Sequence, residues 1–168
     1  RVWGHDVWTV PPNSQGYLSL VAARIAEGLD LPAEDDPLRA HLLVEAAVQA
    51  GHDRPAVLYE GADGEGLVAE ERLAPRRASI SPDRRTPPTG RYGDGDTMYL
   101  CVVDGDGMAV SLIQSNADGF GSHVTLPGLG IFLHNRGLGF SVAEGHPARY
   151  GPGRRPPHTL SPALVTRP

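Results

Sequence analysis

The chain has 168 residues, 40% of them hydrophobic and 21% charged, with a formal net charge of -5. That is enough for one sizeable core or parts of two, and the acidic balance gives no reason to expect nucleic acid or an anionic membrane as the main partner. All 15 basic residues are arginine, which excludes Schiff-base and lysine general-base chemistry.

In chain order, Arg1–Val10 reads as a strand ended by Pro11 and Pro12. Asn13 or Ser14 can cap the helix that follows, where from Gly16 to Leu29 the residues Leu18, Val21, Ala22, Ile25, Ala26 and Leu29 form an amphipathic stripe, Gly28 and Pro32 marking its end. Asp36 before Pro37 starts a second helix, about 37–50, with Leu38, Leu42, Val44 (or Leu43), Ala47 and Val48 inward and Gly51 at its end. The two helices are expected to pack as a hairpin. His52-Asp53-Arg54 reads as a capping, solvated charge group more readily than as part of a site, and residues 56–66 as a poor strand or a loop. Residues 73–96 carry five arginines and several prolines and glycines without apolar periodicity, which predicts an exposed linker.

Thr97–Val103 and Met108–Gln114 flank Asp104-Gly105-Asp106-Gly107 and predict a β-hairpin. The continuous apolar run Leu100–Val103 predicts a strand covered on both faces. Cys101 lies inside it; the single cysteine makes no internal disulfide and reads as a small buried hydrophobe. Beyond it come a glycine-bearing loop (116–122), a turn at Pro127-Gly128, a short strand at Ile131–Leu133, a second loop at 135–140, a long Gly/Pro/Arg stretch at 144–157 that predicts a lid or surface excursion, and a last strand at Ala163–Thr166. Both ends read as cut, as in a fragment of a longer protein. No run approaches the ~18 apolar residues of a membrane span, the seven histidines lack metal-ligand spacing, and no Gly-x-Ser-x-Gly elbow marks a serine hydrolase.

Several motifs in order carry a resemblance. Thr97–Asp104 followed by Ala109–Ser115, then Phe120-Gly121-Ser122, Gly130–Leu133, Asn135-Arg136, Phe140 and Arg155–Pro162, resembles the segment that opens the small subunit of γ-glutamyltranspeptidases and their acylase relatives. Pro11–Gly16 and the end of the second helix resemble the last part of the family's large subunit. The resemblance spans nearly the whole chain and implies an α+β fold, a fragment of a four-layer αββα N-terminal nucleophile hydrolase sandwich. It divides the chain into large-subunit residues 1–72, a pre-cleavage linker 73–96 and small-subunit residues 97–168.

The resemblance also implies a chemistry. The precursor cuts itself at Asp96–Thr97, freeing Thr97 as nucleophile. The released α-amino group, with a reference pKa of ~7.7–8.0, can serve as its base. By position Ser115 hydrogen-bonds the nucleophile; Asn116, Asn135 and Arg136 line the substrate pocket; His158 and Thr159 match a hydroxyl pair that holds a substrate carboxylate, with His158 replacing one member. No cofactor is implied, and the partners are an amide or γ-glutamyl small molecule and the rest of the same precursor. One departure stands out: the acidic residue that grips the glutamyl α-amino group in true transpeptidases is Gly139 here. That, with SLIQSN and Arg-Pro-x-His-Thr, favours the acylase branch. The family's oxyanion glycines and large-subunit arginine match no position in this chain. The alternative is a non-catalytic homologue that serves as a binding or structural partner.

Overall fold

The computed structural model describes residues 1–87 and 97–168. Its strands are β1 (Asp6–Thr9), β2 (Met98–Val103), β3 (Ala109–Gln114), β4 (Thr125–Leu126), β5 (Ile131–Phe132) and β6 (Ala163–Thr166). Its α-helices are α1 (Tyr17–Glu27), α2 (Pro37–Gly51), α3 (Arg54–Val57), α4 (Gly64–Leu67) and α5 (Glu70–Ala78), with one 3-10 turn at Arg136–Gly139. The strands pair as three antiparallel ribbons, β1–β6, β2–β3 and β4–β5.

The core is helical. The α1 stripe buries Val21, Ile25 and Ala26 against Ala46 and Ala50 of α2, Leu58, Leu67 and Leu73. The expected helix pair is present. Asp36 caps α2 by accepting a hydrogen bond from the Leu38 N–H at 2.8 Å, and Pro37 occupies the first turn. At the start of α1, the expected side-chain cap is absent: Ser14 accepts from the Gly16 N–H and donates to the Leu160 carbonyl at 2.6 Å.

The inward face of α2 is rotated from the apolar reading. Leu42, Glu45, Ala46, Gln49 and Ala50 are buried, while Leu43 and Val44 are exposed. Two polar side chains take interior positions because both carboxylate oxygens of Glu45 accept the Thr86 N–H, at 3.1 and 3.0 Å, and Gln49 donates to the Thr86 hydroxyl at 3.3 Å. Satisfied in this way, a polar group can sit where an apolar one was expected.

Residues 73–78 belong to α5, not to an exposed linker. A two-turn helix needs only one apolar anchor, and Leu73, fully buried, supplies it. Its arginines fold back on the core. Arg77 donates to the last carbonyls of α1, those of Ile25 and Arg24, and pairs with Glu70 at 2.7 Å. Arg72 and Arg76 bind the Asp53 carboxylate at 2.9 and 2.5 Å. The His52–Arg54 group is therefore a structural ion cluster, and residues 56–66 include parts of two short helices, α4 being capped by Asp63.

The β2–β3 hairpin has the expected register, Met98↔Gln114 to Val103↔Ala109. Asp104 shapes its turn by accepting from the Asp106 and Met108 N–H groups at 3.0 and 2.8 Å, with Gly107 at φ +85°. The expected double cover is not formed among the described residues. Every β2 residue is exposed, Cys101 included, and in β3 only Ile113 is half-buried. Sequence hydrophobicity here marks faces that no described residue encloses.

Candidate active site

Two proline-containing segments build the floor of the site. Residues 11–16 and 156–160 zip together through the His158 N–H on the Asn13 carbonyl and the Gln15 N–H on the His158 carbonyl, both 2.9 Å. Asn13 Nδ2 on the Pro156 carbonyl and Ser14 on Leu160 complete the seam. Proline has no N–H to offer a ladder, so the neighbouring side chains carry part of the pairing. The seam fixes His158 between the helical part of the chain and the hairpin.

At the open end of the hairpin, Met98 pairs with Gln114. The next residues outward on the two strands are Thr97, exposed, and Ser115, half-buried. The Ser115 hydroxyl accepts the Ala117 N–H at 3.0 Å, which bends the chain away from the strand. Asn116 and Asn135 are joined through the backbone, Asn135 N–H to Asn116 carbonyl at 3.1 Å. The Asn135 side chain is fully engaged: it accepts from the Asp118 N–H and donates to the Asp118 and Gly121 carbonyls. It clasps the 116–121 loop and leaves no donor for a ligand. Asp96 lies outside the described residues.

Arg136 donates through Nη1 to the Thr159 hydroxyl at 2.9 Å, while its buried Nη2 has no hydrogen-bond partner among the described residues. Burial pushes its guanidinium below the ordinary range. Burial also lowers the His158 pKa, and the charges of Arg136, Arg155 and Arg54 lower it further. His158 Nδ1 accepts the Leu160 N–H at 3.2 Å, fixing the ring. Three guanidinium groups thus act on one imidazole. Glu60 neutralises Arg155 at 2.6 Å; Arg54 and Arg136 form no ion pair among the described residues.

Two cavities flank this group. One, of ≈ 360 Å³, is lined by Asn13, Ile113, Arg155, His158 and Leu160 among others. The other, also ≈ 360 Å³, lies between Arg54, Leu58, Gly139, His146 and Pro157. Gly139 is pressed against the Pro157 carbonyl, and a Cβ built there would overlap that oxygen.

The structure therefore gathers Arg136, His158 and Thr159 in one group and Thr97, Ser115, Asn116 and Asn135 in another. Arg54, Asn13 and Arg155 were missed as site-forming residues. In the sequence Arg54 reads as part of a solvated charge cluster, and only the Arg-Pro-Pro-His spacing points to Arg155. The arrangement offers a hydroxyl at a strand end and, in a separate group, Arg136 on the Thr159 hydroxyl with a histidine whose pKa is lowered.

The model of the gamma-glutamyltranspeptidase family matches residues 1–168. The chain is 38% identical to the oxamate amidohydrolase proenzyme of Klebsiella pneumoniae subsp. pneumoniae, over 95% of this chain and 31% of that protein. It is also 38% identical to the glutathione hydrolase-like YwrD proenzyme of Bacillus subtilis, over 98% of this chain and 32% of that protein. The crystal structure of cephalosporin acylase from Bacillus halodurans matches with a TM-score of 0.85 at 36% identity, covering 99% of this chain and 31% of that one. The chain thus spans about a third of the length of the relatives it matches. With the family model matching from end to end and these enzymes sharing its sequence and fold, the chain belongs to the gamma-glutamyltranspeptidase family.

Proposed function

We propose that this chain is the junction of a self-processing amide hydrolase or acyl transferase in which Thr97 is the nucleophile. The observation that supports the reading is the hairpin register, whose last pair, Met98↔Gln114, puts Thr97 and Ser115 at the next positions outward on the two strands, Ser115 leading into the Asn116–Asn135 clasp. Cleavage of Asp96–Thr97 frees the Thr97 α-amine. That amine takes the hydroxyl proton as Oγ adds to the amide carbonyl, then passes it to the departing amine, leaving a threonyl ester. Water or an acceptor amine attacks the ester in the second half. Ser115 orients the nucleophile. The exposed faces of β2 and β3 are those of a central ribbon in a four-layer αββα sandwich, covered by the rest of the precursor, which also supplies the oxyanion donors.

The acyl group we assign carries a negative charge and needs no α-ammonium. Arg136, with Thr159 and His158, is poised for a carboxylate. Gly139 removes the carboxylate that would grip an ammonium group, and the backbone there leaves no room for one. The relatives named for oxamate and for a cephalosporin agree with such donors better than with an obligatory γ-glutamyl group.

Intact mass and N-terminal sequencing of the full-length protein test the reading. Two pieces, one beginning Thr97-Met98-Tyr99, are expected. A single uncleaved chain without amidase activity would replace it with the non-catalytic homologue.

A further inference from the structure

The Gly/Pro/Arg excursion at 144–157 is tied down at its start. The Ser141 N–H donates to the Ala148 carbonyl and the Tyr150 N–H to the Ser141 carbonyl, both at 2.9 Å. Ser141, His146 and Ala148 of this bridge line the ≈ 360 Å³ cavity that also takes in Arg54 of α3 and Leu58. None of Thr97, Ser115, Arg136, His158 or Thr159 lines it.

The polar side chains of this cavity are donors without an acceptor. Arg54 forms no ion pair among the described residues, and its buried Nε finds no hydrogen-bond partner there. The adjacent Asp53 is already committed to Arg72 and Arg76. Burial pushes the Arg54 guanidinium below its ordinary range, as for a cation lacking a counter-charge. His146 Nδ1 accepts the Ala148 N–H at 3.0 Å, so in the neutral ring Nε2 carries the proton and donates. The Ser141 hydroxyl accepts the Ala143 N–H at 3.1 Å and keeps its own proton to give. No carboxylate side chain lines the cavity, and the carbonyls of Ser141, His146 and Ala148 are taken by backbone N–H groups. The remaining wall is apolar, with Leu58, Leu138 and Phe140; the Phe140 ring is held edge-on to Tyr150, centroids 5.4 Å apart.

A desolvated cation without a partner costs stability, and a ligand that brings the missing charge recovers it. We propose that this cavity binds a small organic monocarboxylate with an apolar body, other than the acyl carboxylate assigned to Arg136. Its carboxylate pairs with Arg54, His146 and Ser141 add donors, and its body lies against Leu58, Leu138 and Phe140. The volume is at the low end of the ~300–1,000 Å³ of small-molecule sites and suits one ring or a short branched chain. Inorganic phosphate would gain nothing from the apolar wall. The proposal goes beyond the reading of Thr97 and holds whether or not the precursor cleaves itself.

The probe is benzoate, with benzamide as its neutral isostere, titrated by calorimetry into the full-length wild type, Arg54→Met, His146→Leu and Arg136→Met. Benzoate is expected to bind the wild type and Arg136→Met alike, and about tenfold or more tighter than benzamide. It should weaken about 10–150-fold in Arg54→Met and about 2–10-fold in His146→Leu. It should also raise the melting temperature of the wild type but not of Arg54→Met. Should Arg54→Met fail to fold, His146→Leu carries the comparison. No saturable binding at millimolar benzoate, the result if a carboxylate from the rest of the precursor already sits on Arg54, overturns the proposal. Equal affinity for benzamide, or binding lost in Arg136→Met and kept in Arg54→Met, overturns it as well. A precursor that never cuts before Thr97 sinks the nucleophile reading and leaves this site standing.

Discussion

Gly139 lies so close to the Pro157 carbonyl oxygen that any side chain at 139 would overlap it. Relief requires the 3-10 turn at Arg136–Gly139 or the Pro156–Pro157 segment to shift, and the latter is tied to Asn13 and Ser14. Gly139→Asp should therefore cost about 1–3 kcal/mol of stability, as overpacking does, and should not create γ-glutamyl activity. Thermal melts and assays on a γ-glutamyl anilide check both parts.

Arg136 should be felt in substrate binding. Arg136→Met keeps the stem and removes the charge. Loss of a charge-assisted hydrogen bond of about 1.5–3 kcal/mol predicts a fall of roughly 10–150-fold in kcat/KM for donors with an acyl carboxylate. Neutral acyl amides should fall far less. An equal fall for both classes would mean that the charge is not recognised.

Thr97→Ala should abolish both the break before residue 97 and turnover in the full-length protein, while Ser115→Ala should retain cleavage and lose about 10–100-fold in kcat through poorer orientation of the nucleophile. Gel analysis and steady-state kinetics distinguish the two.

Asp53 ties Arg72 and Arg76 to the end of α2. Burial raises its pKa, but the Arg76 hydrogen bond and the two guanidinium charges override burial and hold the carboxyl below its ordinary value. A depressed carboxyl gives stability that is fully present above the unfolded pKa, near 3.9, and is lost as pH falls through the folded one. Asp53→Asn should cost about 2 kcal/mol at neutral pH and flatten the acid limb of the stability curve below about pH 4.

His158 carries the opposite sign of charge. Its pKa is lowered by burial first and by neighbouring arginines second. Between that folded value and the unfolded ~6.5 the unfolded state binds more protons, so stability rises with pH across the window. Melting temperature should drop on acidification below about pH 6.5, and His158→Asn should remove that slope. NMR titration of the ring gives the folded pKa directly.

Helices α1 and α2 and the hairpin turn were legible in the sequence because local chemistry fixes them: a stripe of period 3.6, an Asp-Pro start, an Asp-Gly turn. The rotated face of α2 was not, since Glu45 is tolerated only through a backbone donor 41 residues away. Helix α5 was hidden for the same reason: its arginines look solvated until Asp53, Glu70 and the end of α1 are placed beside them. In the candidate site, motif order brought Arg136, His158 and Thr159 to notice. Only three-dimensional placement adds Arg54 and the Gly139–Pro157 contact.

The pairing of β1 with β6 sets a schedule for making the protein. Asp6 faces Thr166 across 160 residues of chain, whereas the helical core is assembled from residues 17–73 alone. At a synthesis rate of about 5–20 residues per second, β1 waits roughly 8–30 s for its partner. For that interval it is an open strand edge bearing Trp8, and pairing with the wrong chain is possible until residue 166 is made. The helices can settle early, but the β1–β6 ribbon forms only once its second strand has been made.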